Sequence, residues 1–481
     1  MKAKVLKAGC FCILLFLFLG LIRNVFMFKS RDGIYTLKRF YEQEENSIDL
    51  LILGSSHTTV DIDSAMLWDQ YGIASYTLWG SGQPMWNTYF YMKEALKTQS
   101  PKLIILEGYT LTSDKNYGDQ SSVIKNTYGL KWSKNKMDAI KASVPKSKYV
   151  DYMVEIGQYH NRYSEIDKND FGANTSFPYI KEYKGTEMSF GLYPSNIRPD
   201  IAAYQQNPVE HSMTKKNERY YRACIELAQE YGIPIMVVVS PYPVSAEDYA
   251  IFSQAEQIAN EYGVEFINGN NLYDVLGIDF SQDFADADHL NYSGCLKWTS
   301  YLGKVIDSTF SLPDRSEDEK YRSWEVNAQH INQMIYNFKF LYIGMPKQYI
   351  ETIAASPHEY TVVVSLDGDY NNEEIDLSDV MSKHFNIPKS VFKKGKEGTW
   401  IIQDGKTIWS ESGKEYFYHM QLGQNDLSIE KSAGESKQII FNNVNQKKVE
   451  DGINILVYDN FTNMFVEAAG FNAEGNYNCI K

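Results

Sequence analysis

At 481 residues, 43% of them hydrophobic, the chain has room for about two to three domains with full cores. A formal net charge of −14 excludes the phosphate-neutralising basic surface that nucleic-acid binding needs. Five cysteines, none in a CxxC or Cys/His ligand spacing, exclude a disulfide scaffold and argue against a structural metal.

Lys2, Lys4 and Lys7 precede an uncharged stretch at residues 8–22 (AGCFCILLFLFLGLI), followed by Arg23 and a second apolar run at 25–28. A basic segment ahead of an apolar core is an export signature. The core is short, but Arg23 can snorkel, and the resumed run reaches the roughly twenty residues of a spanning helix. No small-x-small cleavage site follows, and Cys10 is badly placed for a lipidated cysteine. Residues 1–28 are therefore expected to be an uncleaved single-pass anchor, amino terminus inside and bulk extracellular. Arg23, Lys29 and Arg31 on the far side make the charge bias ambiguous. Residues 29–45 read as a polar stalk.

From residue 46 the pattern alternates between strand and helix. Residues 48–53 (IDLLIL) form an apolar run of strand length ended by Gly54, and Ser55-Ser56-His57 leads toward a helical pattern at 64–71. A second strand is expected at 75–78, an amphipathic helix at 85–96 and a third strand at 103–106 (LIIL). This alternation predicts an α/β domain with a parallel sheet over 46–311. It lapses between 111 and 213, a Tyr-, Asn-, Ser- and Lys-rich stretch too long for a structureless loop. That stretch is expected to be an insertion with its own local structure over the catalytic edge. Regularity returns with a helix at 217–231, a strand at 234–239 (PIMVVV), a helix at 246–262, a strand at 264–267 and a closing helix at 293–310. Residues 312–344 read as a charged linker and a helix. Residues 345–481 alternate β-rich runs with Gly, Asn and Asp clusters, which predicts a separate antiparallel β domain.

Two short motifs at opposite ends of the α/β domain carry chemistry. Gly54-Ser55-Ser56 puts a hydroxyl at the end of a strand and the start of a helix, where backbone N–H groups can hold an oxyanion; alone, it reads equally as an N-cap turn. Asp286-Ala287-Asp288-His289-Leu290-Asn291 places an Asp three residues before a His, able to fix the imidazole tautomer a serine base needs. Together, GSS after the first strand and DADHLN before the last helix resemble the SGNH (GDSL) hydrolase superfamily. The likeness is nearest its membrane-anchored branch, which includes the teichoic-acid D-alanylation (DltD) and alginate O-acetylation proteins. It covers residues 46–310, about half the chain.

The resemblance implies a flavodoxin-like parallel sheet and a triad of Ser56 as nucleophile, His289 as base and Asp286 as its orienting carboxylate. It also implies an oxyanion hole from Ser56 and Gly82, the latter in Leu78-Trp79-Gly80-Ser81-Gly82-Gln83-Pro84. Ser55 stands where the family has Asp. The family's third-block Asn is absent; Leu106-Glu107-Gly108-Tyr109 stands there, so Asn87, Gln83 or a backbone amide would substitute. No cofactor and no metal are expected. Other readings of these residues stay open: His57 as base, a cation held by Asp283, Asp286, Asp288 and His289, and Glu107 as catalytic group or strand terminus. Trp79 and Trp86 read as sugar-stacking rings or as core.

Asp451-Gly452-Ile453-Asn454-Ile455-Leu456-Val457-Tyr458-Asp459, with Phe465-Val466-Glu467 and Phe471-Asn472 behind it, resembles the closing strands of an interleukin-like (ILEI) β domain over about residues 345–478. That resemblance implies either glycan binding or a structural role. The expectation is an extracytoplasmic esterase or O-acyltransferase acting on acyl groups, acetyl foremost, of a cell-surface polysaccharide or teichoic-acid-like polymer. A membrane-bound O-acyltransferase would be its partner. The alternative is a non-catalytic glycan-binding protein on a degenerate scaffold, which the missing Asn favours and the intact Ser56, Asp286 and His289 oppose.

Overall fold

Four of the five strands in the first sheet are buried along their whole length, which is why β1, β3 and β4 read as nearly unbroken apolar runs. The computed structural model describes residues 2–27, 31–166, 168–171, 183–195, 197–368, 377–392, 396–472 and 479–481. Parts of the expected anchor (1 and 28), of the stalk (29–30), of the insertion (167, 172–182 and 196) and of the ILEI-like stretch (369–376, 393–395 and 473–478) lie outside them. The chain divides into two compact units, Met1–Ala328 and Gln329–Lys481.

In the first unit, β1 (Leu50–Gly54), β2 (Ser75–Trp79), β3 (Leu103–Glu107), β4 (Ile235–Val239) and β5 (Glu265–Asn268) form a sheet of order β2-β1-β3-β4-β5, every pair parallel. Leu50, Ile52, Leu103, Ile105, Met236 and Val238 share one core with Phe252, Trp298 and Leu302 of the covering helices. Leu51, Leu53, Ile104, Leu106 and Val237, which alternate with them, are equally buried. The helices start where the chain supplies an acceptor for orphan N–H groups. Asp63, Thr214, Ser245 and Asn291 cap Ser64–Tyr71, Lys215–Glu230, Ala246–Glu261 and Tyr292–Thr309. The sheet thus delivers β1 and the Asn291-capped helix to one edge.

The amino-terminal helix, Lys2–Phe26, is 25 residues long, or roughly 37 Å at 1.5 Å per residue. Its Leu6–Arg23 window has a mean hydropathy of 2.1 and none of it is buried, so it is long and apolar enough to cross a membrane. Where a free stalk was expected, Thr36–Phe40 is a helix with Leu37 and Phe40 buried, and Phe40 meets Tyr76 of β2 edge-on. The described part of the insertion mixes short helices, among them Gln120–Thr127, Lys134–Ser143 and Tyr149–Met153, with irregular stretches such as 183–195. The charged stretch after residue 311 is pinned rather than loose: Arg315 bonds the Asp49 carboxylate at 2.8 and 3.2 Å and its N–H donates to Gly72 O.

The second unit is antiparallel β. One sheet has the order β15-β14-β13-β6-β7-β8, from β6 (Tyr360–Asp367), β7 (Gly398–Gln403), β8 (Lys406–Glu411), β13 (Gly452–Asp459), β14 (Met464–Phe471) and β15 (Cys479–Ile480). The other, β12-β11-β10-β9, is built from β9 (Tyr416–Leu422), β10 (Asn425–Lys431), β11 (Gln438–Phe441) and β12 (Val444–Asn445). Val363, Ile401 and Leu456 pack on Leu427, Ile429 and Phe441 of the second sheet. Their neighbours Val362, Val364, Ile402 and Ile455 turn to the opposite face, against Tyr349, Ile350 and Met381. That is the period-two alternation of a strand.

Candidate active site

At the end of β1 the chain turns through Ser55, extended at φ −93°, into the helix Ser56–Asp61. Ser56 opens its first turn, where backbone N–H groups have no intrahelical acceptor. The second motif lies in a tight loop closed by a bridge between Phe284 and Leu290 and by Ala285 N–H donating to His289 O at 2.9 Å. That loop brings His289 Nε2 to 2.7 Å from Ser56 Oγ. On the other side of the ring, Nδ1 lies 3.0 Å from both Asp286 oxygens. The Asp286 carboxylate also accepts the N–H groups of Asp288 and His289, at 3.1 and 2.9 Å, so it is fixed in place although half exposed. Hydroxyl, imidazole and carboxylate form one hydrogen-bonded chain.

A second carboxylate, Asp288, stands 3.3 Å from His289 Nδ1 and is held by the Tyr109 hydroxyl, which donates to it at 2.6 Å. The shorter, two-oxygen contact makes Asp286 the orienting partner, while Asp288 adds charge beside the ring. Burial pulls the His289 pKa down, but the bond and charge of Asp288, with Asp61 and Asp286, outweigh it and raise it to about 9. The same contact with His289 holds the Asp288 carboxyl well below the usual carboxylate range.

Beneath this chain is a buried layer joined through Asp61, a residue the sequence alone did not single out. His57 is fully buried and its Nδ1 is 2.9 Å from Asp61 Oδ2; Asp61 Oδ1 in turn accepts the N–H of Leu290 at 3.0 Å. The His57 ring stacks on His289 at 4.5 Å between centroids and lies 3.9 Å from the Tyr109 ring. The Asp61 partnership and full burial argue against His57 as a base: it is a platform under the His289 ring. Glu107 is also fully buried, with Oε1 accepting Tyr109 N–H at 2.7 Å. Among the described residues its Oε2, like His57 Nε2, has no hydrogen-bond partner. Burial pushes the Glu107 carboxyl up to about 7, with the charge of His57 opposing. The signals for this layer were the SHxxxD spacing of Ser56, His57 and Asp61 and the Glu107-Gly108-Tyr109 block.

The second block sits beside the first because Gly54 pairs with Trp79 across β1 and β2. Gly82 adopts φ +53° with open space where a Cβ would stand, whereas a Cβ at Gly80 would lie 2.1 Å from Asn126 Oδ1. Gln83 and Asn87 do not face the groove as oxyanion donors. Gln83 is fully buried, its amide oriented to donate to Gly54 O at 3.1 Å and accept Gly80 N–H at 3.3 Å. Asn87 donates to Asn126 O at 3.2 Å and accepts the Ser143 hydroxyl at 2.8 Å. Both amides knit the edge together. Trp79 is core, donating to Tyr183 at 3.3 Å. Trp86 is buried too, but its face carries Lys216 Nζ at 3.7 Å.

Asp283 is spent on Lys297 and Ser293, at 2.6 and 2.7 Å. Asp286, Asp288 and His289 alone could converge on a cation, their ligand atoms lying within 4.8 Å, but the only His289 nitrogen they face is the one bonded to Asp286.

Gly82, Trp86, Tyr109, Tyr117 and Lys125 line a groove of about 430 Å³. Tyr117 is shared with a broader groove of about 960 Å³ that carries Lys93, Lys141, Lys215, Lys216 and Arg219 among the rings of Tyr89, Phe90 and Tyr220. Its one carboxylate, Asp138, is already paired with Lys134 and Lys141 at 3.0 and 3.7 Å. No protein-family model matches this chain, and no curated protein sequence matches it.

Proposed function

We propose that this chain is a serine O-acyltransferase or esterase of the SGNH type. In this reading it is anchored in the cell membrane by Lys2–Phe26 and faces outward. It acts on O-acyl groups, acetyl foremost, of a cell-surface polysaccharide or teichoic-acid-like polymer. The observation that carries the reading is the chain Ser56 Oγ to His289 Nε2 at 2.7 Å, with His289 Nδ1 on Asp286 at 3.0 Å. The β2-β1-β3-β4-β5 order supports it, being the flavodoxin-like order in which sites form at the carboxyl ends of strands.

Ser56 attacks the ester carbonyl as neutral His289 takes its proton, and Asp286 steadies the imidazolium. The tetrahedral oxyanion is met by the backbone N–H groups of Ser56 and Gly82. Collapse expels the alcohol, protonated by His289, and leaves acyl-Ser56. A sugar hydroxyl or water, deprotonated by the same ring, then resolves it. No step calls for a cofactor. The open groove of cations and aromatic rings suits a long carbohydrate acceptor, and the ILEI-like resemblance of the second unit fits a glycan-holding module. A membrane-bound O-acyltransferase would supply acyl groups from within the bilayer.

One observation favours the non-catalytic alternative: with Gln83 and Asn87 turned inward, no side-chain amide of the second block serves the oxyanion. Full-length protein in detergent is incubated with nitrophenyl acetate and longer acyl esters, beside Ser56→Ala. Turnover falling by about 10³-fold or more in the variant, with an acylated Ser56 peptide seen by mass spectrometry only in the parent, is the expected result. Equal rates across all esters would favour the binding protein.

A further inference from the structure

The carboxyl end of the amino-terminal helix is gripped by the insertion. Phe26 and Met27 pack against Ile34, Ile124, Tyr128 and Tyr159, with Tyr152 alongside. Arg23 pairs with Glu155, which also pairs with Lys136. Arg162 donates to the carbonyl oxygens of Phe26 and Met27 at 2.8 and 3.0 Å and holds Asp170 at 3.0 Å. Side-chain donors on the last carbonyls of a helix fix where its end points.

The same segment presents large apolar side chains outward. Val150 is 71% exposed, Val154 55%, Tyr163 74% and Phe171 72%. Each lies within two residues of a group that holds the helix end: Tyr152, Glu155, Arg162 and Asp170 respectively. Exposed apolar side chains gathered at one place mark a contact surface. The helix itself says what covers them. At roughly 37 Å it exceeds a hydrocarbon core of about 30 Å, so its last turn reaches the headgroup region, and whatever grips that turn is at the interface. Valine, tyrosine and phenylalanine beside Lys148 and Arg162 have the composition that settles there.

We propose that residues 149–166 and 168–171 form an interfacial collar, with Val150, Val154, Tyr163 and Phe171 entering the headgroup–acyl boundary of the bilayer that the amino-terminal helix crosses. The catalytic unit then rests on the lipid surface instead of swinging from a tether. The inference rests on the reading of Lys2–Phe26 as a membrane span.

Full-length protein is reconstituted in nanodiscs of equal phosphatidylcholine and phosphatidylglycerol. Val150, Val154, Tyr163 and Phe171 are replaced by Cys one at a time, in a background without Cys10, Cys12 and Cys479; Cys224 and Cys295 are buried. Spin labels at the four positions are compared with one on Tyr231→Cys, a residue 55% exposed in the parent, for collisions with oxygen and with a water-soluble nickel chelate. Each of the four is expected to favour oxygen over nickel several-fold more than the control. A label on Cys10, restored alone, tests the span separately. If Cys10 reads as lipid while the four match the control, the collar is overturned and the anchor stands. If Cys10 reads as water, both fall. If the four read as water in the nanodisc and become shielded only when a membrane protein is added, the surface is a protein dock and the lipid proposal is overturned.

Discussion

The imidazole of His289 can serve as a base only when neutral, yet its pKa is raised to about 9 by Asp288, Asp61 and Asp286 against the pull of burial. Below that pH the ring is charged, Nε2 donates to Ser56, and proton abstraction is blocked. Turnover of nitrophenyl acetate should therefore climb with pH through about 9. Asp288→Asn removes the carboxylate whose bond does most to raise the His289 pKa, and the rise of kcat/KM should move toward neutral pH by about one unit or more. The linkage for stability has the opposite sense: a raised folded-state pKa stabilises fully below the ordinary 6.5 and loses that contribution as pH passes about 9. Asp61 answers to two groups, His57 and the Leu290 N–H. Asp61→Asn keeps an acceptor for Leu290, whereas Asp61→Ala loses both bonds and should cost about 3 kcal/mol in urea unfolding, with kcat falling in the same order.

At the level of elements, β1, β3 and β4 were legible because both faces of each are buried, which forces an unbroken apolar run. The convergence of Ser56 with Asp286 and His289 was legible because Ser56 directly follows β1 and the pair lies just before the closing helix Tyr292–Thr309. The insertion's helices were not: the longest described are 8 and 10 residues, and buried Asn126, Lys136 and Glu155 erase the period an apolar face would show. The stretch before β1 looked like a stalk because charges alternate with Leu37 and Phe40, and a single helical turn carries too little pattern. Gln83 and Asn87 looked available because polar residues near a turn usually face solvent; here they bond inward. The turn they support should respond unevenly to substitution. Gly80→Ala meets Asn126 and should destabilise by about 1–3 kcal/mol, measured by thermal unfolding. Gly82→Ala has room but strains a left-handed residue by about 1–2 kcal/mol, and should lower kcat more than it lowers Tm.

Across the whole molecule, charge is distributed against its total. A chain of net charge −14 gathers Lys93, Lys141, Lys215, Lys216 and Arg219 on one groove. Burial and neighbouring Arg219 lower the Lys216 pKa to about 8. Long-range attraction to an anionic polymer should be local and salt-sensitive. Lys215→Ala combined with Arg219→Ala should raise KM for a uronate or phosphodiester oligomer severalfold at low ionic strength, an effect that shrinks as salt is added.

Ser56 and His289 are 233 positions apart in the chain, and under the proposed function that distance has a temporal meaning. In a polypeptide delivered amino end first, Ser56 leaves the translocation channel as an ordinary alcohol. It stays one until the stretch bearing its base has followed and the closing helix has docked. On that reading a partly exported or prematurely terminated chain would be chemically silent, its reactivity arising only once the unit is complete.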